Sequence, residues 1–180
     1  MVSEGMLPRK ALQEVERRLT EAGCPDADFD AQELFRLVTR QDVRLADRPL
    51  SAKEAERLEE LTARRANREP LQYLCGSWPF LDFELAVGPG VLCPRGDTEV
   101  VAEAAAGMLA GVKNPKVLDL CAGTGCLGLG VKRFCPDAEV MSLEKSPEAF
   151  RYLEQNAKNA LHHQDRKSTR LNSSHSAKSR

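Results

Sequence analysis

The chemistry-bearing positions of this 180-residue chain concentrate in residues 117–128, Val-Leu-Asp-Leu-Cys-Ala-Gly-Thr-Gly-Cys-Leu-Gly. Gly123, Gly125 and Gly128 satisfy the spacing GxGxxG, and the acid Glu144 follows Gly125 by nineteen residues. Glycines let a backbone turn sharply and approach a ligand, and the helix start behind them presents free N–H groups. Taken alone the pattern is a weak dinucleotide fingerprint, and a tight strand-to-helix turn without a ligand is its bland alternative. Asp119 separates the ligand classes. A carboxylate at the strand end, facing the loop, repels a pyrophosphate but suits the cationic amino acid portion of S-adenosylmethionine. Glu144, one strand over, is placed to accept hydrogen bonds from both hydroxyls of a ribose. Both acids fall at the carboxyl ends of adjacent strands, where open α/β sheets bind ligands. The residues therefore favour S-adenosylmethionine over NAD.

The remaining candidates read blandly. No GxxxxGK[ST] occurs, so a P-loop is excluded. Cys24, Cys75, Cys93, Cys121, Cys126 and Cys135 form no CxxC pair, and their spacings do not suit zinc. Without an export signal they are expected to be reduced thiols. Arg95-Gly96-Asp97 has the form of an integrin tripeptide, a reading that needs export and is set aside. Arg95, Asp97 and Glu99 are read instead as structural ion pairs or as part of the cofactor pocket. His162 and His163 are expected to be solvated. No Ser/His/Asp or Cys/His set is present, and no catalytic or metal-ligating residue is assigned.

These residues need elements to position them. Leu12, Val15 and Leu19 mark one face of a helix from about Pro8 to Ala22, closed by Gly23. Leu34, Leu37 and Val38 give the next face, between about Asp28 and Arg40. Ser51 to Glu54 is a capping box that opens a helix burying Ala55, Leu58 and Leu61. Near Pro70 the pattern changes. Trp78, Phe80, Phe83, Leu85 and Val87 alternate around Leu81-Asp82 as in a hairpin, and Gly88-Pro89-Gly90 ends it. A helix is expected over Asp97–Ala110. A strand (Lys116–Leu120), a helix (Cys126–Phe134), a strand (Ala138–Glu144) and a helix (Pro147–Asn159, capped by Ser146) follow. This βαβα order implies a parallel sheet with helices on its faces.

Composition agrees with a globular protein: 42% hydrophobic, 29% charged and 5% aromatic. No apolar run is long enough for a membrane span, the first ten residues lack signal-peptide character, and few aromatics argue against stacking on single-stranded nucleic acid. The net charge of −1 hides an asymmetry, because residues 165–180 carry five bases and one acid. Asp165 to His175 has the form of a library adapter translated in frame. The tail, with the sequon Asn172-Ser173-Ser174, is therefore expected to be non-native and disordered.

Three segments together carry a family resemblance: Arg68 to Gly76 (REPLQYLCG), Gly88 to Glu99 (GPGVLCPRGDTE) and the glycine loop. In this order and spacing they resemble the bacterial peptide chain release factor glutamine methyltransferases over nearly all of residues 8–164. The resemblance implies transfer of a methyl group from S-adenosylmethionine to the glutamine side-chain amide in the Gly-Gly-Gln motif of class I release factors. By position it makes Cys121, Ala122, Gly123, Thr124 and Gly125 the cofactor loop, with Asp119 beneath it and Glu144 on the ribose. Two departures stand out. Cys121 and Ala122 replace the frequent Gly-Thr, so a side chain at Cys121 is expected to crowd the loop, and Glu144 replaces the more usual Asp. The family's Asn-Pro-Pro-Tyr motif, which holds the glutamine amide, does not occur in these 180 residues.

The expected fold is α/β: the first half of a Rossmann-like S-adenosylmethionine-dependent methyltransferase domain, preceded by a small all-α bundle and a β-hairpin linker. The expected boundaries are 1–72 for the bundle, which would recognise the release factor, 73–93 for the linker and 94–164 for the half-domain. The expected setting is cytoplasmic and monomeric, without membrane or nucleic-acid partners. The chain is expected to be C-terminally truncated and inactive as it stands. Alternatives are methylation of another protein amide, an NAD-dependent oxidoreductase fragment, and a non-catalytic binding module.

Overall fold

The computed structural model describes residues 1–160. The readings made above for His162, His163 and the tail 165–180 lie outside the described residues. The chain divides into two compact units, the first Met1–Cys75 and the second from Gly76 onward.

The first unit is helical: α1 (Pro8–Glu21), α2 (Ala27–Thr39), α3 (Ala52–Ala66) and a short α4 (Leu71–Cys75). Proline at the first position of α1 suits a helix start, where its missing N–H is no loss. The buried stripe of α1 is Ala11, Val15 and Leu19, with Leu12 only half-buried beside it. In α2 the buried set is Ala27, Asp30, Ala31, Leu34, Phe35 and Thr39. This corrects the sequence reading: Leu37 and Val38 flank the buried face, and Phe35 takes the core position. The i, i+4, i+8 spacing of Ala27, Ala31 and Phe35 keeps them on one line, small residues first. At α3 the capping box forms in full. Ser51 Oγ accepts the Glu54 N–H and the Glu54 carboxylate accepts the Ser51 N–H. Arg65 Nε donates to buried Asp30 at 2.7 Å, tying α3 to α2. Helix α4, which follows Pro70 directly, was not legible in the hydrophobic pattern because it is only five residues long.

The second unit opens with the hairpin, β1 (Ser77–Phe80) antiparallel to β2 (Phe83–Ala86), Phe80 opposite Phe83. Leu81 in the turn adopts a left-handed conformation, φ 54°. The turn is held from outside. Glu99 of α5 (Gly96–Met108) accepts the Leu81 N–H at 2.8 Å, and Arg133 of α6 (Cys126–Phe134) makes a two-pronged bond to Asp82. Strands β3 (Lys116–Leu120) and β4 (Glu139–Leu143) pair in parallel, with Leu118 opposite Met141 and Leu120 opposite Leu143. A last helix, α7, runs over residues 147–160. Helix α6 lies close on α5 because Gly130 leaves room: a Cβ there would meet Ala102 Cβ at 2.7 Å. The arrangement is a partial Rossmann-like fold. One side of its two-stranded sheet presents Leu118, Leu120, Met141 and Leu143, each about half exposed or more.

Candidate functional site

Strand β3 delivers Asp119 and Leu120 to the loop, and β4 delivers Leu143 and Glu144 beside it. The parallel register sets Asp119 opposite Ser142 and Leu120 opposite Leu143. Between the strand and α6 the backbone takes three left-handed residues in five: Cys121 (φ 58°), Gly123 (φ 56°) and Gly125 (φ 80°). Glycine adopts that region without penalty, whereas an L side chain there costs roughly 1–2 kcal/mol. Cys121 thus stores strain in its backbone, and its side chain is exposed rather than crowding the loop interior.

The loop backbone is anchored at several points. Ala122 N–H donates to the Leu143 carbonyl at 3.0 Å, and Gly125 N–H donates to the Ala122 carbonyl at 2.8 Å. Gly123 N–H donates to Glu144 Oε2 and Ser146 N–H to Glu144 Oε1, both at 2.8 Å. Thr124 is fully buried, and its carbonyl accepts from Asn156 of α7 at 2.9 Å. The loop is therefore shaped from behind and clasped at its front by one carboxylate.

The two acids sit in opposite environments. The structure places Asp119 under the first turn of α6, where Oδ2 accepts the Gly128 N–H at 3.1 Å and Ser142 Oγ at 3.4 Å. Burial pushes its pKa up and nearby Glu144 adds to that, while the two hydrogen bonds oppose it. Gly128 is what lets the helix settle there, since a Cβ would meet Ser142 Oγ at 2.8 Å and Asp119 Oδ2 at 2.9 Å. That is the close helix–strand packing the third glycine of such a loop provides. Glu144 is more accessible. The Ser146 and Gly123 N–H groups hold its carboxyl below the usual range, so it is ionised near neutrality. Each of its oxygens accepts one amide and retains a lone pair for a further donor.

This geometry fits S-adenosylmethionine. A diol at Glu144 would meet an ionised, oriented acceptor, and the left-handed glycines allow close backbone approach to the bound group. Asp119 contributes negative charge from beneath the loop and holds α6 in place. Of the residues singled out in the sequence, Asp119, Cys121, Ala122, Gly123, Thr124, Gly125 and Glu144 gather at the carboxyl ends of the two parallel strands. Arg95, Asp97 and Glu99 do not join them through ion pairs: among the described residues none of the three makes a salt bridge. Arg95 is the N-cap of α5, Asp97 and Glu99 lie in its first turn, and Glu99 serves the hairpin. Carboxylates in that turn are favoured by the helix dipole, so they need no cationic partner. Sequence reasoning missed Asn156. Its signal was a polar residue in line with Ala149 and Leu153, the buried stripe of α7.

Comparison with known proteins meets this geometry at both ends of the chain. Residues 10–76 match the model of the PrmC N-terminal domain. The protein described as "Release factor glutamine methyltransferase" of Bifidobacterium longum is 35% identical over 160 residues, which covers 84% of this chain and 54% of that protein. Its namesake in Geobacter sulfurreducens is 36% identical over 153 residues, covering 83% and 53%. That of Chlamydia trachomatis is 34% identical over 157 residues, covering 85% and 54%. The chain belongs to the release factor glutamine methyltransferase family. It spans about half the length of the curated relatives it matches. Residues 99–168 also match the model of the TRM5/TYW2 methyltransferase domain, so the glycine loop lies within a methyltransferase domain. Among the described residues no helix is long and apolar enough to cross a membrane.

Proposed function

We propose that the loop of residues 121–125 with Glu144 binds S-adenosylmethionine, and that the protein methylates the glutamine side-chain amide in the Gly-Gly-Gln motif of class I release factors. The observation that carries the cofactor is Glu144: an ionised carboxylate, fixed by two backbone amides against the glycine loop, with both oxygens still able to accept. The names and the extent of the related proteins support the substrate. When bound, S-adenosylmethionine supplies an electrophilic methyl group. The chain's own residues hold and orient it: Glu144 accepts from the ribose hydroxyls, Gly123 and Gly125 admit the cofactor close to the backbone, and Asp119 places a negative charge under the loop.

An amide nitrogen is a poor nucleophile until it is oriented, and binding energy must do that work. The Asn-Pro-Pro-Tyr motif to which the resemblance assigns this task is absent from these 180 residues. We therefore assign cofactor binding to this chain and no methyl transfer to the 180 residues acting alone. The helical unit, residues 1–72, is proposed as the release-factor recognition element, in a cytoplasmic, monomeric protein.

Titration calorimetry of the chain tests the cofactor. S-adenosylmethionine is expected to bind and NAD to give no heat. Glu144→Ala is expected to weaken cofactor binding roughly a hundredfold, through loss of two charge-assisted hydrogen bonds. Unaltered affinity in that variant would remove the assignment. Radiolabel transfer from S-adenosylmethionine to a class I release factor by the purified chain would overturn the division of labour.

A further inference from the structure

Asn156 is the polar side chain that the cofactor reading leaves without a task. It is 1% exposed, and its amide is fully used. Oδ1 accepts the Ala86 N–H at 2.7 Å, while Nδ2 donates to the Ala86 carbonyl at 3.1 Å and to the Thr124 carbonyl at 2.9 Å. The orientation is dictated by the partners, because a flipped amide would set a donor against the Ala86 N–H and an acceptor against two carbonyls. Towards the end of β2 the side chain thus behaves as a neighbouring strand would, pairing both main-chain groups of one residue. With its remaining hydrogen it holds the cofactor loop.

The packing around it has the same sense. Tyr152, one turn earlier on α7, lies so close to Gly88 that no Cβ would fit there. Leu153, on the same helix, stands 2.5 Å from where a Cβ on Gly125 would be. Helix α7 is therefore fitted against both the strand exit at residues 86–88 and the loop at residues 124–125. Asn156 makes the hydrogen bonds at that double contact. The Thr124–Gly125 peptide is locked from both sides: its carbonyl goes to Asn156 and its N–H to the Ala122 carbonyl. That peptide lies just beyond Gly123, whose N–H donates to the Glu144 carboxylate.

We propose that Asn156 is a positioning residue that couples the hairpin to the cofactor loop, setting the Thr124–Gly125 peptide and through it the loop's fit to its ligand. This deepens the S-adenosylmethionine reading and rests on it for the identity of that ligand. The coupling itself is a property of the backbone and is measured without one. It also gives the hairpin, the segment that leads out of the helical unit in sequence, a direct mechanical link to the site.

Two arms test it. In the first, Asn156→Asp keeps the size and one acceptor but turns an oxygen toward two carbonyls. Val131→Ala serves as a reference, because it removes packing from a buried position of α6 whose carbonyl bonds Cys135 at the other end of the helix. Amide exchange by NMR is expected to accelerate at Gly125 relative to the β3 amides in Asn156→Asp and not in Val131→Ala. Affinity for S-adenosylhomocysteine is expected to fall roughly tenfold in Asn156→Asp alone, a coupling of ordinary size. Equal effects of the two substitutions, or unchanged exchange at Gly125, would overturn the proposal.

The second arm uses the unmodified chain and so does not depend on the variant folding. Saturating S-adenosylhomocysteine is expected to slow exchange at Gly123 and also at Ala86, which lies outside the loop. Slowing at Gly123 with Ala86 unchanged would refute the coupling. If the unmodified chain gives no binding heat at all, the cofactor reading fails. The coupling is then decided by the exchange of Gly125 in the first arm.

Discussion

The two units put their polar side chains to different use. In the helical unit many polar contacts are ion pairs between side chains that keep some exposure, as with Arg18–Glu59, Arg48–Glu54 and Arg64–Glu69. Its interior is mainly apolar, with Val15, Leu19, Leu34, Leu58 and Leu61 fully buried, and its buried polar side chains Asp30, Thr39 and Thr62 bond to Arg65 or to their own helix. In the second unit the buried polar side chains Asp119 and Asn156 point at main-chain groups and shape a loop. That unit also leaves a sheet face of Leu118, Leu120, Met141 and Leu143 open to solvent. Exposed ion pairs contribute little individually, whereas a buried amide or carboxylate bound to backbone dictates one conformation. The first unit is thus organised for stability and an outward surface, and the second for a precise backbone at a site.

The largest expected effect contrasts the two interiors with one chemical change. Leu58→Ala should cost about 2–5 kcal/mol, because that side chain is fully enclosed. Leu120→Ala, which removes the same atoms from a residue 62% exposed, should stay within about 0.5 kcal/mol. Urea titrations followed by far-UV circular dichroism measure both. Comparable losses would show that the open sheet face is covered in solution.

Next comes Gly128→Ala. The added methyl group would press on Asp119 and Ser142, so a loss of about 1–3 kcal/mol is expected. Trp78, the chain's one tryptophan, belongs to the second unit, and its fluorescence reads that unit. The transition of the helical unit should not move; if it does, the two units do not unfold independently.

A smaller effect belongs to the α3 cap. Ser51→Ala should cost about 1 kcal/mol, as loss of a capping hydroxyl generally does. Acid offers a second approach to the same cap. Arg48, then the Ser51 hydroxyl and N–H, hold Glu54 down to about 2, against 4.5 for the free side chain. A depressed value means that the stabilisation is complete above about 4.5 and is lost as the pH falls toward 2. The melting temperature of the helical unit should therefore decline across that window, and less steeply in Glu54→Gln. An identical pH profile in that variant would place the acid sensitivity elsewhere.

The smallest effect has the opposite sign. Cys121→Gly should raise the stability of the second unit by about 0.5–1 kcal/mol, because relief of left-handed strain exceeds the entropy that glycine brings. A loss measured by Trp78 fluorescence would mean that the Cys121 side chain makes a contact worth more than the strain.

Local and short-range features of this protein are written in its sequence. The capping box at Ser51, the parallel βαβ order, and the bounds of β3 (Lys116–Leu120) and α6 (Cys126–Phe134) follow from hydrophobic period and turn chemistry. So does the gathering of the glycine loop and Glu144, because parallel strands joined by one helix must bring their carboxyl ends together. What the tertiary structure decided are the long-range pairings. Asn156 finds Ala86 across 70 residues, Arg133 finds Asp82 across 51, and Arg65 finds Asp30 across 35. Period and propensity describe a residue's own element, whereas the partner of a buried amide or carboxylate is set by which backbone groups lie opposite once the elements have packed. Asp119 shows this most plainly. Its place at the end of β3 was legible from one dimension, but its turn under α6, to the Gly128 N–H, depends on a glycine that lets helix and strand approach.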